Sequence, residues 1–397
     1  MPGRRATWIF GFAAVCLGSV PMAWAGSLVG LLDDPRLEKL ELSALGPVLA
    51  NTVASTYPVA SASSSVTYVY NPALDTFERQ SGVAGPIIGE RADTIGRGQL
   101  NLTTSYSYVH LTTINGEDLD QLVNQPTVNG QAIVFPVPGG VTAKEKFTNF
   151  LPVKVVADLN VKAHIFTPSV TYGLTPDLDV NLTVPLIHTS LAVTADTQVP
   201  DPRFPQYALP PGDPNATSES LTLSDGAYGV GDVLLRAKYV FLRGSPVDMA
   251  VGLGVKLPTG SKDDFQGTGD TRVAPALIVS RVFVKRFQPL FNLGIDYNAN
   301  DVSRSIITWA LGTTAQIVDP LTAALVFFGR HELAAQADPI ENPFFFQIER
   351  NDIFDSSVGF RYRFAGSGIV SANAIVPLNE QGLRAAVIPT IEVEYAF

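Results

Sequence analysis

The chain has 397 residues and carries 27 Lys and Arg against 37 Asp and Glu, a formal net charge of −10. An acidic chain with no basic run argues against nucleic acid as a partner. Charged residues make up 16% of it, against roughly 25% in soluble domains, yet beyond the N-terminus no run of about 18 apolar residues occurs, which excludes helical membrane spans.

Residues 1–25 have the layout of a secretory signal peptide. Arg4 and Arg5 form the charged start, Trp8 to Val20 is apolar, and Ala23-Trp24-Ala25 is a small-x-small cleavage site, so the mature chain is expected to begin at Gly26. Cys16 is the chain's single cysteine and lies inside this peptide, so neither disulfides nor thiol chemistry are expected afterwards. Residues 26–97 follow as a separate N-terminal segment. Its start is the only stretch with helical character, with Leu31, Leu32, Leu37, Leu40, Leu42 and Leu45 set among charged residues and Pro35 at a first-turn position. Val66 to Tyr70 and Thr76 to Arg79 flank Asn71-Pro72-Ala73-Leu74 as a short hairpin, and Gly82 to Gly98 is glycine-rich and irregular. This segment is expected to be periplasmic or to sit inside the lumen as a plug.

From Gly98 the pattern turns to a period of two, which predicts strands. The expected fold is all-β, a transmembrane antiparallel barrel over 98–397 with twelve strands, or fourteen if the 66–79 hairpin joins the wall. The strands are predicted at 98–110, 152–172, 178–191, 229–242, 248–258, 271–285, 289–298, 304–317, 321–331, 352–364, 369–378 and 384–397. A chain that is apolar overall without apolar runs is what such alternation produces. Closure is required because lipid satisfies no backbone polar group. Links after even strands are short, and the long ones, 111–151, 192–228, 259–270 and 332–351, all follow odd strands. That segregation is expected of periplasmic turns and extracellular loops, and an even count puts both ends of the barrel on the periplasmic side.

In each strand the apolar face is expected to meet lipid and the polar face the lumen. In the second strand Val153, Val155, Ala157, Leu159, Val161, Ala163 and Ile165 oppose Lys154, Asp158, Lys162 and His164. On this reading the lumen-lining candidates are Lys154, Asp158, Lys162, Asp232, Arg236, Lys238, Asp296, Arg361, Arg363, Glu392 and Glu394, joined by Lys256. Charges of both signs around one lumen pair into a network that braces the wall. The alternative is a polar constriction that sets selectivity. The histidines show no metal-site spacing, and no cofactor, phosphate loop or nucleophile elbow is expected.

The last strand alternates through Ile391, Val393 and Tyr395 against Thr390, Glu392 and Glu394 and ends on Phe397. It resembles the C-terminal signal strand of outer-membrane barrels, which implies the barrel-assembly machinery as a partner and the Gram-negative outer membrane, with its lipid and lipopolysaccharide, as the location. Ala84-Gly85-Pro86-Ile87-Ile88-Gly89-Glu90-Arg91-Ala92-Asp93-Thr94-Ile95-Gly96-Arg97-Gly98 resembles the segment that opens the barrel in the outer-membrane transporter family named for meta-pathway phenol degradation. Tyr172-Gly173-Leu174-Thr175 with Asp179, Gly229-Val230-Gly231-Asp232 with Arg236-Ala237-Lys238-Tyr239, and Lys256-Leu257-Pro258-Thr259-Gly260 resemble the same family's turns and strand starts. The resemblance spans roughly 60–397. It implies a non-enzymatic channel for passive uptake of small hydrophobic or aromatic molecules, and carries over no functional residue. Two other readings stand beside it. One is a lipid-active hydrolase using His188 and Ser190, similar to outer-membrane phospholipase A. The other is a structural or adhesive barrel acting through its long loops.

Overall fold

The computed structural model describes residues 27–32, 34, 68–71, 76–79, 88–123, short pieces between 127 and 151, 154–198, 218–334 save 245, 284 and 285, and 352–397 save 365 and 366. Twelve antiparallel wall strands close into a barrel. They are β1 (Leu100–Ile114), β2 (Lys154–Gly173), β3 (Leu178–Thr183 and Leu186–Gln198), β4 (Ser218–Val230 and Val233–Leu242), β5 (Asp248–Leu257) and β6 (Arg272–Ser280). The circuit continues through β7 (Phe287–Asn298), β8 (Ile306–Val318), β9 (Leu321–Glu332), β10 (Ile353–Phe364), β11 (Gly368–Pro377) and β12 (Leu383–Ala385 and Ile388–Ala396). Closure is made by β12 on β1, with Thr390 opposite Ser107 and Ala396 opposite Asn101. The hairpin Tyr68–Asn71 with Thr76–Arg79 is a separate two-stranded sheet, so the wall has twelve strands and not fourteen. No described helix is long and apolar enough to cross a membrane; the chain crosses with strands.

Three strands are written in two pieces because the ladder is interrupted, not because the chain turns back. In β3 the break is at Val184-Pro185: a proline has no N–H to give the ladder, and the Val184 N–H still reaches the Pro168 carbonyl at 3.1 Å. β4 breaks alongside it at Gly231-Asp232, where the Gly231 N–H donates to the Pro185 carbonyl at 2.8 Å. β4 begins at Ser218, well before the expected 229, so much of the predicted 192–228 loop is wall.

An apolar belt surrounds the barrel. Leu102, Phe166, Val170, Leu182, Leu235, Val251, Leu253, Leu293, Ile295, Val358 and Val393 all expose their side chains on the outer face. Inside at the same height the wall is polar: Asn181 Nδ2 donates to Ser169 Oγ at 2.7 Å and Thr171 Oγ1 at 2.9 Å. Towards the long-loop end of β1 to β4 the two faces exchange character without a change of register. On β2 the outward residues run Tyr172, Val170 and Phe166, then His164, Lys162 and Asp158, while the inward ones run Thr171 and Thr167, then Ile165, Ala163, Val161, Leu159 and Ala157. β3 repeats this: Asn181 and Thr183 give way to Ile187, Leu191, Val193 and Ala195 on the buried face. These strands overrun the belt, since a strand of about 9–11 residues crosses the hydrocarbon and β2 has 20. Beyond lipid the outside is water and the inside must be packed, so the hydrophobic face turns inward. The buried cluster there joins Leu159, Val161, Leu191, Val193 and Leu223 to Leu28 and Leu32 of a short helix, α1 (Leu28–Leu32), and to Phe265.

Candidate functional site, the threaded lumen

The segment 88–98 lies in the lumen at the short-turn end, and the wall residues that hold it explain its path. Gly98 N–H donates to the Gly173 carbonyl at 2.7 Å and Gly173 N–H to the Gln99 carbonyl at 3.0 Å. A Cβ on Gly173 would sit 1.8 Å from the Gly96 carbonyl oxygen, so this approach requires glycine. Further in, the chain has no ladder partner, and side chains satisfy its backbone instead. Ile95 N–H donates to Asp179 Oδ2 at 2.9 Å, Ala92 N–H to Ser280 Oγ at 3.0 Å, and Glu90 N–H to Asn292 Oδ1 at 2.7 Å. Lys238 Nζ donates to the carbonyls of Arg91 at 3.1 Å and Asp93 at 2.5 Å. Arg236 pairs with Glu90 at 3.2 Å, and Gln288 Nε2 donates to Asp93 at 3.0 Å. Backbone groups taken out of water are almost always paired, and here five wall strands supply the partners.

At the opposite end a loop is folded inward. Asp232, at the break in β4, accepts from Gly260 N–H at 3.1 Å and from the N–H and Oγ1 of Thr268 at 2.9 Å each, and lies 3.5 Å from Lys256 Nζ. These bonds draw the 258–271 loop over the lumen. Its tip carries Phe265, fully buried, and receives α1: Leu28 N–H donates to Asp264 Oδ1 at 3.2 Å and Val29 N–H to the Asp263 carbonyl at 2.9 Å. The N-terminal residues therefore touch the lumen at both ends.

Beside the threaded segment lie two cavities of about 390 Å³ each. The first is lined by Arg236, Lys238, Lys256, Arg272 and Arg330 with Glu90, Asp179 and Asp296. The second is mostly apolar, with Ile88, Phe328, Ile353, Ile375, Leu383 and Ile388 in its wall. Ala276, Asn292, Thr308 and Arg330 border both. Below them a floor is built on Arg361, which pairs with Glu392 at 3.0 Å and Glu394 at 2.9 Å, all three at most 1% exposed.

Of the lumen candidates, Asp232, Arg236, Lys238, Asp296, Arg361, Glu392 and Glu394 face inward, as does Lys256. Arg363 lies at the short-turn rim, paired with Asp319. Asp158 and Lys162 do not line the lumen: they stand on the outer face of β2, because that part of the strand has passed the belt and its apolar face has turned inward. The side chain of Lys154 lies outside the described residues. His188, on the same outer surface, stacks on Tyr228 at 3.9 Å and on His164 at 5.8 Å. Arg272, Arg330, Glu90 and Asp179 line the cavities and were not among the candidates. Arg272 lies in a strand that alternates poorly, and Glu90 in no strand at all. Asp179 and Arg330 share the phase of their inward neighbours, so for them the signal was present.

A closed antiparallel wall, an apolar belt on its outside and a polar lumen within define a β-barrel of the Gram-negative outer membrane. Residues 142–337 match the sequence model of the family described as "Putative MetA-pathway of phenol degradation", the family that the motifs resemble. Similar solved structures include an outer-membrane channel from Pseudomonas putida F1, 12% identical with a TM-score of 0.48, over 79% of this chain and 100% of that one. A Pseudomonas aeruginosa FadL homologue is 10% identical with a TM-score of 0.34, over 76% of this chain and 90% of that one. The Ralstonia pickettii toluene transporter TbuX is 10% identical with a TM-score of 0.35, over 76% and 90%. No curated protein matches the chain.

Proposed function

We propose that this protein is an outer-membrane channel for passive uptake of small hydrophobic or aromatic molecules, with residues 26–97 partly occluding its lumen. The observation that carries this is the pair of cavities lined by the inner wall, one beside each flank of the threaded segment at Ile88 to Glu90. Cavities of this size hold one small molecule and not a stream of hydrated solutes. The segment is held by hydrogen bonds and single ion pairs rather than by a sheet ladder, so it can leave without opening the wall. The family description, phenol degradation, suits a small aromatic cargo. The lumen's ion pairs brace the wall and the plug. The C-terminal strand, ending on Phe397, is the proposed contact with the assembly machinery, and the exposed loops the proposed contact with lipopolysaccharide.

The test is flux into proteoliposomes, read above protein-free vesicles, for a small phenolic and a sugar of similar mass, with intact protein and with a version lacking 26–97. Phenolic flux alone through the intact protein, and sugar flux appearing on deletion, is the expected result. Absence of flux for both solutes in both versions would remove the channel reading.

A further inference from the structure

We infer that the turn between β6 and β7 binds an anionic glycerophospholipid of the surrounding leaflet, with Arg286 on its phosphate and Phe283 and Phe287 against its acyl chains. The inference is independent of what the lumen carries. β6 and β7 go on pairing past their ends: Phe283 N–H donates to the Phe287 carbonyl at 2.7 Å and Phe287 N–H to the Phe283 carbonyl at 3.1 Å. Phe283 thus stands opposite Phe287 in the register that sets Val279 opposite Phe291, so all four point outward. Phe283, Phe287 and Phe291 are exposed on that face. Ile317 of β8, in phase with Ala315 opposite Phe287, is exposed there too. Aromatic side chains collect where hydrocarbon meets head groups, and Arg286 follows at the tip of the turn with its side chain exposed.

The charges of the short-turn rim add to this. Arg243 is paired with Asp177 at 2.9 Å, Arg281 with Asp248 at 3.5 Å, and Arg363 with Asp319. Inside the wall, Asp93, held by Gln288 of β7, stands 3.9 Å from Arg91. These carboxylates each have a cation, and among the described residues Arg286 pairs with none of them. Lys285 puts a second cation into the same turn in the sequence; its side chain lies outside the described residues. So in a chain of net charge −10 this turn is cationic and flanked by two lipid-facing rings. A guanidinium fork matches a phosphate in geometry. An anion that reaches this depth together with apolar chains is a phospholipid head group, and short turns belong to the periplasmic side of such barrels, where the leaflet is glycerophospholipid. With no carboxylate paired to Arg286, nothing there receives the ammonium of a zwitterionic head, so the site favours a head of net negative charge.

The experiment titrates full-length protein in neutral detergent micelles with phosphatidylglycerol or phosphatidylcholine of the same chain length and counts retained lipid by native mass spectrometry. Phosphatidylglycerol should be retained roughly fivefold more tightly, the worth of one arginine near an anionic head group. Arg286→Gln should lower that ratio, Lys285→Gln with Arg286→Gln should bring it toward one, and Arg286→Lys should keep most of it. Lys262→Gln, in the loop at the opposite end, should leave it unchanged. Phe283→Ala with Phe287→Ala should weaken both lipids alike. The folded fraction of each variant is checked by its unheated migration on a gel. Equal retention of the two lipids, or a ratio that the double Lys285 and Arg286 substitution does not move, overturns the inference.

Discussion

Arg361 joins two carboxylates that follow each other on one face of β12, and no solvent reaches the three side chains. The floor is therefore a charge cluster whose members need one another. Arg361→Met removes the cation and leaves Glu392 and Glu394 buried side by side, at a cost of about 3–5 kcal/mol. Urea unfolding in micelles checks this, and an unchanged midpoint would mean that the carboxylates find another partner. Gly173 acts by what it lacks. Gly173→Ala sets a methyl 1.8 Å from the Gly96 carbonyl, an overlap worth about 1–3 kcal/mol that only a shift of the chain relieves. The 94–98 segment should detach from the wall, seen as faster amide exchange there. Both Glu392 and Glu394 were legible as inward from alternation alone. Glu90 was not, because its position follows from Arg236, far away in sequence, and not from any local period.

At the scale of the element, alternation located the strands closely. Of the twelve predicted strands, β4 is the one that begins well outside its expected range. What alternation left open was the side each face meets. A period of two says that one face is apolar and does not say whether lipid or a packed core receives it. On β2 both answers hold in turn, lipid at Phe166 and core at Ile165. Asp158 and Lys162 stand outside there because the strand passes through two solvents and no single rule for its faces holds along it. The 218–228 stretch gives a weak signal for the same reason: its outward residues Ser220, Thr222, Ser224 and Gly226 are exposed and polar or small, and only Tyr228 at its end is apolar. A pair of substitutions tests the boundary. Leu293→Arg, outward in the middle of β7 within the belt, should destabilise the barrel by about 2–4 kcal/mol, the range for a charge at the bilayer midplane. Asn160→Arg, equally outward on β2 but past the belt, should stay within about 0.5 kcal/mol, as for other surface changes. Comparable losses at both sites would put Asn160 in lipid and restore the simpler picture.

For the whole molecule, strand number and closure follow from alternation, loop lengths and the terminal strand, since each is a property of sequence order. The height of the wall does not, and it is uneven. β2 has 20 residues and β5 has 10, spans of about 66 and 33 Å at a strand's rise. The tall side, β1 to β4, shelters α1 and Phe265 in its hollow, and its last strand has a consequence. The 218–230 half of β4 pairs with β3 alone among the described residues, whereas 186–198 of β3 pairs with both β2 and β4. β5 ends at Leu257 and the following loop turns into the lumen instead of continuing beside β4. A strand with one neighbour bonds only every second amide. Hydrogen exchange should therefore split the two stretches: slow throughout 186–198, and alternating fast and slow along 218–230. Uniform protection of 218–230 would mean that another part of the chain covers this edge, and that the tall side is closed after all. Deleting 258–271 sharpens the result. If the inward loop is what leaves the edge open, its removal strips α1 of its seat but leaves the alternation in 218–230 as it was.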